Sequence, residues 1–205
     1  MNKLVLSIVG AVLLTTGCGG PSETADEEFL GADGAALSSS TLYKIYKLRN
    51  ATDKYHDVKV ALADGFQPIS PCITDPLGGM GYHYMNFNRA FGGVPLTEMT
   101  PTSLLYEDDP NKPGAVRLVG VEYFSFIFQD GQPFVGGSPV ATPAPRPESI
   151  QARPVLFGSD ATFAGPMPGH GGGMPWHYDL HAYIWRYNPK GVFFEWNPNV
   201  YCRPQ

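Results

Sequence analysis

The chain has 205 residues, of which 43% are hydrophobic and 16% charged, with 24 Gly and 20 Pro. That length suits a single domain with its own core, and the Gly and Pro content argues against an all-helical bundle. A net charge of −5 excludes a basic nucleic-acid-binding surface.

Residues 1–17 read as an export signal. Lys3 supplies a positive start, and Leu4 to Leu14 is an apolar run of eleven, too short for a permanent membrane span. Thr15-Thr16-Gly17-Cys18 resembles a relaxed bacterial lipobox. It implies cleavage before Cys18, a lipid (palmitate-type) anchor there, and a place in the cell envelope. Gly19 in the next position, where an Asp would mark inner-membrane retention, points to the outer membrane. The alternative is an ordinary secretory signal with an incidental cysteine. Residues 18–40 hold five acids and no Lys or Arg, and read as a mobile tether. The globular domain is expected at 41–205, where 13 bases nearly balance 14 acids.

Of the three cysteines, Cys72 and Cys202 remain once Cys18 is assigned to lipid. In an exported chain an even pair reads as a disulfide; the alternative is a two-thiol metal site.

Thr41 to Asp64 reads as one helix. Leu48, Ala51, Tyr55, Val58 and Leu62 form its apolar stripe, Ser39 or Ser40 its cap, and Gly65 its stop. Thereafter the period becomes two. Tyr82–Phe87, Ser103–Tyr106, Val116–Ile127 and Trp176–Arg186 read as strands, and Val192–Trp196 pairs with the last of them across an Asn188–Gly191 turn. The expected class is α+β: one N-terminal helix packed on an antiparallel sheet, with a closed or half-closed β-barrel as the form that sheet could take. Residues 131–175, with nine Gly and nine Pro, read as a long loop over a site, pinned to the core by Pro154–Phe157.

The candidate chemistry lies on the strands. In His177-Tyr178-Asp179-Leu180-His181, alternate residues share a face. His177, Asp179, His181, Tyr183 and Trp185 therefore point one way. His177 and His181 would lie ~13 Å apart on an ideal strand, too far to share an ion without a bend. Glu122 shares its face with Leu118, Phe124 and Phe126, so an ionised carboxylate there needs a His, an Arg such as Arg186, or a cation; the alternative is that this face is solvated and its aromatics are exposed or at a sheet edge. His83 lies on a strand with Met85 and Phe87, and His170 lies in the glycine-rich loop. Met80, Met167 and Met174 each precede a His by three residues, a thioether–imidazole pairing that suits copper; the bland reading is Met as gap filler. No HExxH, GxSxG, P-loop or haem-attachment motif is present.

Met80-Gly81-Tyr82-His83-Tyr84-Met85-Asn86, Leu104-Leu105-Tyr106-Glu107, Val119-Gly120-Val121-Glu122-Tyr123, Met167-Pro168-Gly169-His170, His177-Tyr178-Asp179-Leu180-His181 and Trp196-Asn197-Pro198 follow one another in this order within residues 45–203. Together they resemble a group of uncharacterised bacterial exported proteins and lipoproteins. The resemblance implies an extracytoplasmic location and transfers no catalytic residue.

The leading expectation is a site for one transition-metal ion (Cu, Zn or Fe) held by His83, Glu122, His177 and His181, with His170 as a loop-borne addition, acting on a small substrate. A metal-free version would use the same groups for acid–base work. A second expectation is a tethered binding module whose face of Tyr82, Trp176, Tyr183 and Trp185, with Asp179, holds a small ligand. A third is a structural envelope protein in which Glu122 is hydrogen-bonded internally.

Overall fold

The computed structural model describes residues 29–31, 34–135, 150–170 and 173–204. Cys18, the signal and most of the tether lie outside them. Among the described residues no helix is long and apolar enough to cross a membrane. The packed chain begins before residue 41, because Phe29 and Leu37 are buried in the core.

The first helix, α1 (Ser39–Thr52), is capped by Ser38, whose hydroxyl oxygen accepts from the Thr41 N–H at 3.2 Å. The cap is thus one residue earlier than expected. The single helix to Asp64 is also interrupted. Thr52 turns its hydroxyl back to the Leu48 carbonyl at 2.8 Å, a bond that competes with regular helix. A 3₁₀ turn follows at Asp53–His56, and Asp57 caps a second helix, α2 (Val58–Ala63), by accepting from the Lys59 N–H at 3.0 Å. The break shifts the buried stripe. Ile45, Leu48, Thr52 and Tyr55 are buried, whereas Ala51 and Leu62 face solvent. Gly65 follows α2 at φ +88°, the left-handed stop expected of it.

Seven strands form one sheet: β1 (Phe66–Pro68), β2 (Ile73–Asp75), β3 (Gly78–Asn86), β4 (Ser103–Asp108), β5 (Val116–Phe126), β8 (Ala164–Met167) and β9 (His177–Ala182). The order is β1-β3-β4-β5-β9-β8, with β2 also on β3, and every pairing is antiparallel. The sheet ends at β1 and β8 and does not close into a barrel. A short helix, α3 (Phe87–Phe91), follows β3, and β6 (Phe128–Gln129) and β7 (Gln132–Pro133) form a separate ladder. The fold is α+β, as composition and periodicity predict.

The two faces of the sheet differ in chemistry. One carries Leu104, Tyr106, Val121, Tyr123, Tyr178 and Leu180 and packs against Ile45, Leu48 and Tyr55 of the helical segment. Leu156 and Phe157 join this core, anchoring the chain after residue 150, while Val155 stays exposed. The other face holds two small apolar clusters, Leu105–Val119–Tyr183–Val200 and Met85–Phe124–Phe126, and the buried polar residues between them.

A register shift at Leu105/Tyr106 opposite β5 decides which side chains reach which face. An extra residue in one strand reverses its alternation. Leu118 therefore packs into the helix-side core with Val121 and Tyr123 and does not share the Glu122 face. Gly81 lies near this irregularity at φ +91°, and a Cβ there would collide with the Tyr106 carbonyl. Only glycine lets β3 pass so close.

β9 is shorter than the Trp176–Arg186 strand expected. Beyond Ala182, the Tyr183 N–H bonds the Val192 carbonyl and the Trp185 N–H bonds the Val119 carbonyl. The Asn188–Gly191 turn forms, but Val192–Trp196 makes no strand. Instead the Asn188 amide donates to the Phe194 and Trp196 carbonyls at 3.1 and 3.2 Å, so that these acceptors are held by a side chain and not by a partner strand.

The C-terminal segment straps the sheet. Gly79 and Asn197 exchange two backbone hydrogen bonds of 3.0 Å, and the Tyr201 and Arg203 N–H groups donate to Glu107 and Asp108. The Cys72–Cys202 disulfide, with Cα atoms 5.6 Å apart, fastens the strap beside β2.

Candidate metal centre

β3, β5 and β9 each contribute one side chain to a single point on the polar face. Glu122 and His181 are direct cross-strand partners. His83 reaches the same point across β4, where the residue paired with Glu122 is the small Ser103. All three are buried: His83 is 4% exposed, Glu122 1% and His181 2%. One donor atom from each lies within 4.8 Å of the others, and the three could hold a metal ion.

The contacts within the cluster have a particular character. His83 Nε2 is 3.5 Å from Glu122 Oε2, and His181 Nε2 is 3.4 Å from Glu122 Oε1. Neither is a hydrogen bond, for Glu122 Oε2 and His181 Nε2 have no hydrogen-bond partner among the described residues. Ligands bonded to a tetrahedral Zn²⁺ at ~2.0–2.2 Å lie about 3.4 Å from one another. Each His–Glu separation, one to either carboxylate oxygen, is close to that spacing, and the three-atom set spans up to 4.8 Å.

The orientation of His83 is set from behind. Ser70 donates its hydroxyl proton to the Pro71 carbonyl at 2.8 Å, and its oxygen lies 3.0 Å from His83 Nδ1. With that proton committed, His83 Nδ1–H donates to Ser70, and Nε2 presents a lone pair to Glu122. An acceptor placed behind the ring in this way fixes the tautomer of a histidine whose other nitrogen is to bind a metal. Ser70 carried no sequence signal of this role.

Burial governs the charges here. It pushes Glu122 well above the usual carboxylate range, and the negative charges of Asp179 and Glu195 push it further. Burial lowers His83 to about 4, with the nearby His170 adding to the effect. His181 is held well below its ordinary value by burial and then by His83. Neutral imidazoles beside a costly carboxylate are the electrostatics of a site that a cation would relieve.

Asp179 and His177 continue along the same face of β9, opposite Phe124 and Phe126 of β5. They do not join the three-residue cluster. His177 and His181 are therefore not ligands of one ion within this group, as their strand spacing already suggested. His177 is flanked by the rings of Phe124 and Phe126, at 5.5 and 5.8 Å between centroids. Burial raises Asp179 to about 7, helped by Glu195. His170 is exposed, with its ring 5.3 Å from that of His177. Phe124 and Phe126 also border a cleft of about 270 Å³, which Phe91 of α3 and Arg89 help to enclose.

The aromatic ligand face does not form. Tyr82 lies on the opposite side of β3 from His83, packs on the helix-side core and donates to Asp108 at 3.3 Å. Trp185 lies past the end of β9, donates to Thr52 at 3.1 Å and packs against His56. Trp176 packs on the same core. Tyr183 stays near His181, but it is fully buried, with its hydroxyl on the Glu195 carbonyl at 2.7 Å and close to that of Gly79. Arg186 does not approach Glu122; it lies 3.8 Å from Glu107, which Arg117 also pairs at 2.6 Å. Glu195 is the acid that sequence reading missed. Its signal was a single carboxylate within Phe193-Phe194-Glu195-Trp196.

Comparison with protein-family models, curated proteins and solved structures finds no match to this chain.

Proposed function

We propose that this chain is an exported, lipid-anchored envelope protein whose working centre is a transition-metal ion held by His83, Glu122 and His181. One observation carries the reading: three buried donor atoms converge within 4.8 Å without hydrogen-bonding one another. A structural pairing of Glu122 would satisfy the carboxylate. Here its closest neighbours stand at metal-shell distances instead.

Two imidazoles and one carboxylate suit Zn, Fe or Cu and leave further positions free for water or substrate. Such an ion acts as a Lewis acid on a bound oxygen or activates water near neutral pH; iron or copper adds redox chemistry. Asp179 and His177 continue along the same face beside Phe124 and Phe126, whose rings border a cleft of about 270 Å³, a size that suits a small substrate. The Cys72–Cys202 disulfide supports an oxidising compartment. The lipobox at Cys18 supports an anchor, and the absence of Asp after it supports the outer membrane.

The test is elemental analysis of the protein purified from the envelope without tag or chelator. At least one equivalent of Zn, Fe or Cu is expected, falling below ~0.1 in the His83→Ala and His181→Ala variants, since loss of a ligand weakens binding by more than the ~10–100-fold of an outer-shell partner. Unchanged metal content in folded variants would refute the centre. Separately, labelling with a radioactive fatty acid is expected to mark the wild type and not Cys18→Ala. Equal labelling of both would remove the anchor.

A further inference from the structure

Four phenylalanine rings run inward from the surface where α3 meets β5. Phe87 and Phe91 of α3 are 50% and 40% exposed. Phe91 stacks on Phe87 at 6.2 Å between centroids and on Phe126 at 4.5 Å, and Phe126 stacks on Phe124 at 5.5 Å. The planes differ by 13–15° at each step, so the rings form one row of similar tilt. Phe128 meets Phe91 edge-on at 6.3 Å. The row borders the cleft of about 270 Å³. A concave, mostly aromatic wall with few polar groups is the ordinary make-up of a small-molecule site, and this one is at the small end of the range.

The polar groups of the lining narrow the choice of ligand. Ser125 Oγ accepts from the Gln151 amide at 2.8 Å. Thr102 Oγ1 accepts from the Phe124 N–H at 2.6 Å and donates to the Glu122 carbonyl at 3.3 Å. With both hydroxyls engaged, a sugar or other polyhydroxylated ligand finds few partners. Arg89 also lines the cleft and is different. Its Nη1 donates to the Pro101 carbonyl at 3.0 Å, and its guanidinium lies 5.0 Å over the Phe66 ring. These contacts hold the group in place without neutralising it. Among the described residues no carboxylate lies within ion-pair distance of Arg89, and its other N–H groups have no acceptor; Asp64, which feels its charge, is paired with Lys54 at 2.5 Å. A fixed, uncompensated guanidinium fits the planar fork of a carboxylate.

We propose that this cleft binds a small aromatic carboxylate, with its ring laid along the phenylalanine row and its carboxylate on Arg89. A flat ring continues the stacking that the row already makes, and the charge answers the one unpaired cation of the wall. The cleft adjoins the metal cluster. Phe124 follows Glu122 by two residues on one strand face, ~7 Å along an ideal strand, and the Thr102 N–H bonds the Glu122 carbonyl at 3.1 Å. As the substrate class of the centre, this ligand rests on the reading of His83, Glu122 and His181 as a metal site; as a ligand of the cleft it does not.

The experiment is isothermal titration of the full mature chain with benzoate, using benzamide and acetate as comparisons. Benzoate is expected to bind with a Kd of about 1 mM or tighter. Benzamide, which lacks the charge, and acetate, which lacks the ring, should each bind at least about tenfold more weakly, the worth of a charged hydrogen bond or a buried ring. Phe91 is partly exposed, so Phe91→Ala tests the row without threatening the fold; it and Arg89→Gln should each weaken benzoate by about tenfold. His83→Ala should lose metal and keep benzoate affinity. No benzoate binding, equal binding of benzamide or acetate, or indifference to both cleft variants would overturn the proposal. Benzoate binding lost in His83→Ala and kept in Phe91→Ala would put the carboxylate on the ion, which overturns the cleft and leaves the metal site standing. Benzoate binding that follows Arg89 and Phe91 in a protein without metal would support the cleft and overturn only the metal reading.

Discussion

Glu122→Gln is expected to abolish metal loading and, at pH 8, to raise the melting temperature of the metal-free protein. The two effects share a cause. Glu122 is 1% exposed, one of its oxygens has no partner, and Asp179 and Glu195 add negative charge nearby. Its folded-state affinity for a proton is therefore well above that of the unfolded chain. Such a group favours the fold fully below the unfolded value, near 4.5. That advantage is lost as pH rises through the raised folded value. Gln keeps the shape and removes the charge. The gain should be absent in acid and reach about 1–3 kcal/mol once the native carboxyl is ionised. For a domain of this size that corresponds to roughly 2–10 °C. Thermal melts of metal-free wild type and variant between pH 4 and 8 would show it. A variant that melts lower than wild type at every pH would mean that Glu122 is an ordinary structural acid.

Cys72→Ser with Cys202→Ser is expected to lower stability more than any single surface change. The bridge closes a sequence separation of 130 residues. Chain-entropy arguments give about 5 kcal/mol for such a loop, an upper figure, or roughly 10–20 °C in melting temperature. The Glu107 and Asp108 contacts to the Tyr201 and Arg203 N–H groups remain in the variant and limit the loss. Comparing melts of oxidised protein, protein reduced with dithiothreitol and the double variant would measure it. Coincident melts of all three would show that the strap holds by its hydrogen bonds alone.

The metal-cluster residues were legible as types. His83, Glu122 and His181 stood out because each is ionisable and lies on a strand face shared with apolar residues. Their meeting was not legible. It depends on β3, β5 and β9 lying in one sheet with only β4 between the first two, and strand order is a property of distant pairing that no local period encodes. The ~13 Å between alternate-turn histidines on one ideal strand was a sound objection to a His177–His181 pair. In the structure His181 meets His83 and Glu122 from β3 and β5, and His177 stays apart.

Other differences have similar local causes. Parity from Glu122 to Leu118 failed because the register shifts beside it. The Trp185 reading assumed that β9 continued, and it stops at Ala182 when Tyr183 takes the Val192 carbonyl. The helix over 41–64 was read from its stripe, and the interruption came from two side chains, Thr52 and Asp57, that bond their own backbone. The disulfide was legible from cysteine arithmetic, because with Cys18 set aside two cysteines leave a single pairing.

The open sheet has a consequence for how the molecule behaves in a crowd. An edge strand offers free backbone groups to any passing chain, and growth by strand addition is the first step toward aggregation. The strands at the two ends of the order each carry a proline, Pro68 in β1 and Pro166 in β8, whereas β2, which shares the free side of β3 with β1, carries none. Proline has no N–H to donate to an incoming ladder. Around β8 the acceptors are occupied as well, because the Arg153 guanidinium donates to the Phe163 and Gly165 carbonyls at 2.8 and 2.7 Å. The sheet thus ends twice in a strand that makes a poor template, and neighbouring copies are discouraged from joining there edge to edge.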